Sequence, residues 1–169
     1  MTSTTLTTLF QCKIWADREL LDTLAQLLPE QASALHASIR TLNHVHVVDR
    51  IFQAHLQGAS IPFTATNTEA TPALSELRLA MLQTDQWFLT HAQAASAEQL
   101  AAPIEFRFTD GDQGRMTAEE MLMHVIAHGS YHRGNVGQIL KSIGVAPPRD
   151  LYTRFLHEHE PQRRMPASA

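Results

Sequence analysis

The stretch Met123-His-Val-Ile-Ala-His-Gly-Ser-Tyr-His-Arg-Gly-Asn-Val-Gly137 places histidines at 124, 128 and 132. Residues four apart project from the same side of a helix, so neighbouring members of this series can share one ligand. Ten histidines in 169 residues yield roughly 0.6 His-x-x-x-His pairs by chance, so one such pair is a weak signal. This segment holds two, overlapping. Met121, Val125, His128, His132, Ile139 and Ile143 form the predicted inward stripe of the helix, which puts both later imidazoles in the core. A buried imidazole without a partner costs free energy, and two of them four residues apart match the grip of a helix on one metal ion. The same spacing fits core histidines bonded to carbonyls or carboxylates of neighbouring helices, and spacing alone leaves both readings open.

Working outward, Thr117-Ala-Glu-Glu120 reads as a capping box that starts this helix, and Gly144 as its stop. Upstream, Leu6, Phe10, Ile14, Leu21, Leu24 and Leu28 recur at threes and fours, predicting a first helix that Pro29 ends. Ile39, Leu42, Val45, Val48, Phe52 and Leu56 predict a second, over 35–56, closed by Gly58 and Pro62. Thr71-Pro72 reads as the N-cap and first turn of a third, with Leu74, Leu77, Met81, Leu82, Trp87 and Phe88 on its buried face. Ile104, Phe106 and Phe108 alternate with charged residues before Asp110-Gly111, predicting a strand or small hairpin. Leu151 to His159 predicts a short C-terminal helix. The pattern is all-α: a four-helix bundle over residues 1–160 as one domain, followed by a flexible tail at 161–169.

A third protein ligand is expected from a facing helix. His44 lies in line with Val48 and Ile51 and predicts an inward position on the second helix. His46 points elsewhere, and His36, His55, His91, His157 and His159 are expected at the surface. His124 stands beside the series without an assigned role. Asp17 breaks the apolar stripe of the first helix, where it could orient a ligand histidine through its second ring nitrogen. Asp49 and Glu120 are further candidates for that task.

Other chemistry is disfavoured. Gly-Ser-Tyr between His128 and His132 lacks the glutamate base of His-Glu-x-x-His peptidases, and there is no nucleophile elbow, phosphate loop or dinucleotide fingerprint. Ser130 reads as a helix-face residue. Cys12 is alone, which excludes an internal disulfide, and a small buried hydrophobe is its expected role. A net charge of −4, with Arg163-Arg164 as the only basic cluster, predicts no nucleic-acid partner. No leader or membrane span is legible, so a cytoplasmic location is expected.

The quoted segment resembles the last bundle helix of the DinB family of damage-inducible, YfiT-like metal-binding proteins. Leu42-Asn43-His44-Val45 with Asp49-Arg50-Ile51-Phe52 resembles that family's second helix, and Ile14-Trp15-Ala16-Asp17 its first-helix motif. Asn135 and Asp17 depart from the commoner glutamine and asparagine. The resemblance implies a homodimeric four-helix bundle with one divalent metal, zinc or nickel, held by His44, His128 and His132. It also implies a metal-dependent enzyme, a transferase or isomerase acting with a low-molecular-weight thiol on a small molecule. The alternatives are a non-catalytic, stress-related metal-binding protein and a metal-dependent hydrolase, and no residue is assigned a catalytic role.

Overall fold

A computed structural model describes residues 4–165. Four long helices form the bundle: α1 (Thr4–Leu24), α2 (Ala32–Gln57), α3 (Leu74–Ala94) and α5 (Ala118–Ser142). The short α4 (Ala97–Ala101) and the antiparallel pair β1 (Pro103–Arg107) and β2 (Gln113–Thr117) link α3 to α5. A last helix, α6 (Tyr152–His159), packs on α1. Helix α1 contacts α3 and α5, and α2 contacts the same two, so α1 and α2 face each other across the bundle diagonal.

Two apolar clusters fill the ends. One gathers Leu6 and Phe10 of α1 with Phe52 of α2, Phe88 of α3 and Leu122 of α5. The other gathers Leu21, Leu24, Leu42, Leu77, Met81 and Leu140. The early part of α1 thus meets the late part of α2, the late part of α3 and the early part of α5. Helices α2 and α3 therefore run the same way, and residues 58–73 must return along the length of the bundle, the crossover type of helix-bundle connection.

Two sequence-based boundaries and one helix face differ from expectation. Pro29 begins a 3-10 turn, Pro29–Gln31, instead of ending α1; the Leu28 amide donates to Gln31 Oε1 at 2.9 Å, so the chain re-enters helical geometry there and α1 stops at Leu24. Helix α3 starts at Leu74 rather than beside Thr71, because the residue before a proline favours extended backbone and Glu76 Oε2 takes the free amide of Ala73 at 3.3 Å. The inward line of α5 runs through Leu122, Val125, Gly129, Arg133, Val136 and Leu140. His128 and His132 sit one position away from it, about 100° around the helix. They are half-buried, as Ile139 and Ile143 are, and not core residues.

Other expectations hold. The Thr117 hydroxyl accepts the Glu120 amide at 3.2 Å while Glu120 Oε2 accepts the Thr117 amide at 2.7 Å, which closes the capping box. Gly58 ends α2 in the left-handed region at φ 62°, where a Cβ would be strained. Phe88 is fully buried and stacks on Phe10 at 5.5 Å, with Leu77 and Met81 buried on the same helix, whereas Leu74, Leu82 and Trp87 are half-buried. Of the expected tail, Pro161–Arg163 form a 3-10 turn and residues 166–169 lie outside the described ones. Among the described residues, no helix is long and apolar enough to cross a membrane.

Candidate metal centre

Helices α2 and α5 run antiparallel, and their shared seam brings His44 to His128 and His132. One ring nitrogen from each of the three lies within 4.8 Å of the others. His44 Nε2 is 3.1 Å from His128 Nε2, and the ring centroids are 4.5 to 5.0 Å apart. No other set of three His, Cys, Asp or Glu side chains among the described residues converges in this way.

Proton positions follow from the neighbours. His44 Nδ1 lies 2.7 Å from the Thr66 carbonyl of the crossover, an acceptor only, so Nδ1 carries the hydrogen and Nε2 presents a lone pair. His128 is held neutral: burial first, then the neighbouring His132 and His44, push it down to about 3. Burial and His44 also lower His132. His128 Nδ1 is buried with no hydrogen-bond partner. If that atom carries the ring proton, two bare Nε2 lone pairs oppose each other at 3.1 Å, an arrangement that a cation between them turns into attraction. Metal–nitrogen bonds of about 2.0–2.1 Å in tetrahedral geometry set ligand nitrogens roughly 3.3 Å apart, close to the 3.1 Å between His44 Nε2 and His128 Nε2. The donor set fits a borderline divalent ion.

His124 stacks on His128 at 5.4 Å and packs at a tilt against Phe52 at 4.5 Å, but lies outside the converging set. His36, His157 and His159 are exposed as expected, whereas His55 and His91 are half-buried. His46, expected away from the interior, is 8% exposed with Nδ1 unpartnered, and burial pushes it down to about 4. Cys12 is buried, and burial followed by the nearby Asp150 pushes its thiol up to about 11, so it is a poor nucleophile.

The carboxylates serve a different purpose from the one expected. Asp17 touches no histidine. Between the two apolar clusters lies a charged layer centred on Lys13, which is 1% exposed and has no counterpart in the sequence reading. Its Nζ bonds Asp17 Oδ2 at 3.0 Å, pairs with Asp49 Oδ2 at 3.0 Å, and bonds Asp85 Oδ1. Arg133 bonds Asp17 Oδ1 at 3.2 Å and Asp150 Oδ2 at 2.7 Å. Glu120 is committed to its cap. Gly129, beside His128, makes the layer possible: a Cβ there would stand 3.2 Å from Lys13 Cε and 3.1 Å from an Arg133 nitrogen.

Three buried carboxyls face one ammonium and one shared guanidinium, so they cannot all ionise freely. Burial works against charge on Asp17, but Lys13 and Arg133 outweigh it and hold the carboxyl below its ordinary value. For Asp49 and Asp85 burial wins, raising Asp49 to about 6 and Asp85 well above the usual carboxylate range. Lys13, penalised by burial, is kept charged by Asp17, Asp49 and Asp85.

Asp85 should therefore tolerate a neutral isostere, whereas Asp17 should not. We expect Asp17→Asn to cost about 3–5 kcal/mol by leaving buried cations undercompensated, and Asp85→Asn roughly 1 kcal/mol. Urea denaturation checks the order, and equal losses would contradict it. Asp49 binds its proton more tightly folded, at about 6, than at its ordinary 3.8. Its contribution is complete below the lower value and fades as pH rises through the upper one. Asp49→Asn should flatten the pH dependence of stability in that window.

The chain is 25% identical over 159 residues to Protein DinB of Bacillus subtilis (strain 168), covering 88% of this chain and 91% of that protein. No solved structure gives a significant match. The family model described as DinB family matches residues 1–165. With that match across nearly the whole length, on a helical bundle whose last long helix carries the His128 and His132 pair, the chain belongs to the DinB family.

Proposed function

We propose that the protein is a metal-dependent enzyme in which His44, His128 and His132 hold one divalent ion, zinc or nickel. The observation that carries this reading is the convergence of three imidazole nitrogens, with His44 Nε2 3.1 Å from His128 Nε2. When bound, such an ion supplies Lewis acidity and, with three protein ligands, an exchangeable position for a small molecule. The chain's own contribution is to favour the neutral form of His128 and His132, to hold the His44 proton on Nδ1 through the Thr66 carbonyl, and to leave the centre half-open to solvent.

Each of His44→Ala, His128→Ala and His132→Ala should abolish stoichiometric metal uptake, read by elemental analysis of purified protein. Full retention in all three would sink the triad. Metal binding should weaken as pH falls, because protons compete for imidazole. His128, lowered to about 3, should contribute nothing to that competition between roughly pH 5 and 6. The slope of log affinity against pH should therefore reflect at most two of the three histidines. A slope approaching three protons would show that His128 titrates as an ordinary histidine.

The reaction we propose is transfer or isomerisation with a low-molecular-weight thiol as the nucleophile. The buried Cys12, with its raised pKa, leaves the chain without an internal sulfur nucleophile, so the sulfur arrives with the substrate. Cobalt-substituted protein should change its ligand-field spectrum on addition of small thiols, and metal-loaded protein should consume a model electrophile only when thiol is present. A spectrum indifferent to a panel of cellular thiols would move simple metal binding or hydrolysis ahead.

A homodimer belongs to the same proposal and rests on family membership. Light scattering at rising concentration should give twice the monomer mass of 18.9 kDa. A persistent monomer would refute it.

A further inference from the structure

The crossover, residues 58–73, contains no helix or strand, yet one of its carbonyls sits 2.7 Å from a proposed metal ligand. A small polar network holds it there. Asn67 Oδ1 accepts from Asn43 Nδ2 at 2.6 Å and from the Thr68 amide at 3.0 Å, while Asn67 Nδ2 donates to the Arg40 carbonyl at 3.0 Å. Asn43 Nδ2 also donates to Thr68 Oγ1 at 2.6 Å, and an Arg40 guanidinium nitrogen donates to the Thr68 carbonyl at 2.6 Å. Asn43 is buried at 3% exposure, one residue before His44; Asn67 is one residue after Thr66. The two asparagines thus join the segment that carries the ligand to the segment that carries its hydrogen-bond acceptor.

We propose that Asn43 and Asn67 are positioning residues for the metal centre. By fixing residues 66–68 on α2 they hold the Thr66 carbonyl against His44 Nδ1. The ring then keeps its hydrogen on that atom and points the Nε2 lone pair at His128. A neutral imidazole released from this contact carries its hydrogen on either nitrogen and turns about its side-chain bonds, so only part of its population can act as a ligand. Outer hydrogen bonds of this kind are worth about 10- to 100-fold in metal affinity. The network also accounts for the course of the crossover: the polar groups at 66–68 are satisfied by α2 itself, not by a regular element of their own. The proposal rests on the three-histidine reading, but its first measurement does not require metal.

The experiment is nitrogen-15 NMR of the imidazoles in metal-free protein, at a pH well above the histidine reference of about 6.5. It is followed by titration with cobalt or zinc ions against a competing chelator. The unmodified chain should show His44 as the Nδ1–H tautomer. Asn67→Ala should shift it to a mixture and weaken metal binding about 10- to 100-fold, with helix content unchanged. Asn67→Asp keeps the acceptor for Asn43 and for the Thr68 amide but sets a carboxylate oxygen against the Arg40 carbonyl, so it should recover part of the affinity, a rescue that general destabilisation would not give. If Asn67→Ala fails to fold, Thr68→Ala removes the hydroxyl that accepts from Asn43 Nδ2 and donates to the Ala70 carbonyl, leaves the Asn43–Asn67 bond in place, and should move tautomer and affinity the same way by less. A tautomer unchanged by these variants, with affinity within about twofold in a chain that takes up metal, overturns the positioning role alone. No uptake by the unmodified chain overturns the three-histidine reading and the role of the asparagines with it.

Discussion

The ammonium of Lys13, enclosed by carboxyls from three helices, is the constraint around which the bundle is arranged. Removing a charge from water costs several kcal/mol even after relaxation, and only close, well-directed partners return it. Those partners are Asp17 on the same helix, Asp49 on α2 and Asp85 on α3, with Arg133 of α5 completing the layer through Asp17. Apolar side chains can slide past one another with modest loss, whereas an ammonium displaced by one helical turn loses its partners. The layer thus fixes how the four long helices stand relative to one another, and the two apolar clusters supply the bulk of the burial on either side.

The same register places the metal centre. Arg133 follows His132 directly, Gly129 follows His128, and Asp49 lies five residues after His44. Each histidine is therefore tied within a turn or two to a member of the charged layer. Helix α5 presents Gly129 and Arg133 to the interior, which turns His128 and His132 to the seam with α2. The placement has a chemical consequence: a fully buried triad would be closed, whereas half-buried imidazoles at a seam leave room for an exchangeable ligand. The glycine in His-Gly-Ser-Tyr-His earns its position from Lys13 behind it, not from the histidines on either side.

Much of this was legible in the chain because local signals and tertiary needs agree. Helical periodicity, the Thr117 to Glu120 capping box and the Gly58 stop depend on contacts within a few residues. The His44, His128 and His132 set was readable because two candidates share a helix at fixed spacing, the third lies on an amphipathic neighbour, and the resemblance to the DinB family joined them. Asp17 showed itself as a break in an apolar stripe, but its partner could not be read. Lys13 lies in the α1 pattern as an ordinary charged residue, and no local rule marks a lysine for burial. His46 was missed for a related reason: α2 is covered on several sides, including by the returning crossover, so its inward face is wider than a single stripe.

Local patterns in the chain establish that it is helical, where its long helices lie to within a few residues, and that His128 and His132 can share a ligand. Those properties arise from period, capping and ligand spacing, all short-range. Only the tertiary structure decided that α2 and α3 run in the same direction, that the crossover therefore returns along the bundle, and that its Thr66 carbonyl reaches His44. It also decided that Lys13, Asp49, Asp85 and Arg133, spread from α1 to α5, form one charged layer. These are encounters between residues far apart in the chain, set by which helix faces pack together, and no window of sequence contains both partners.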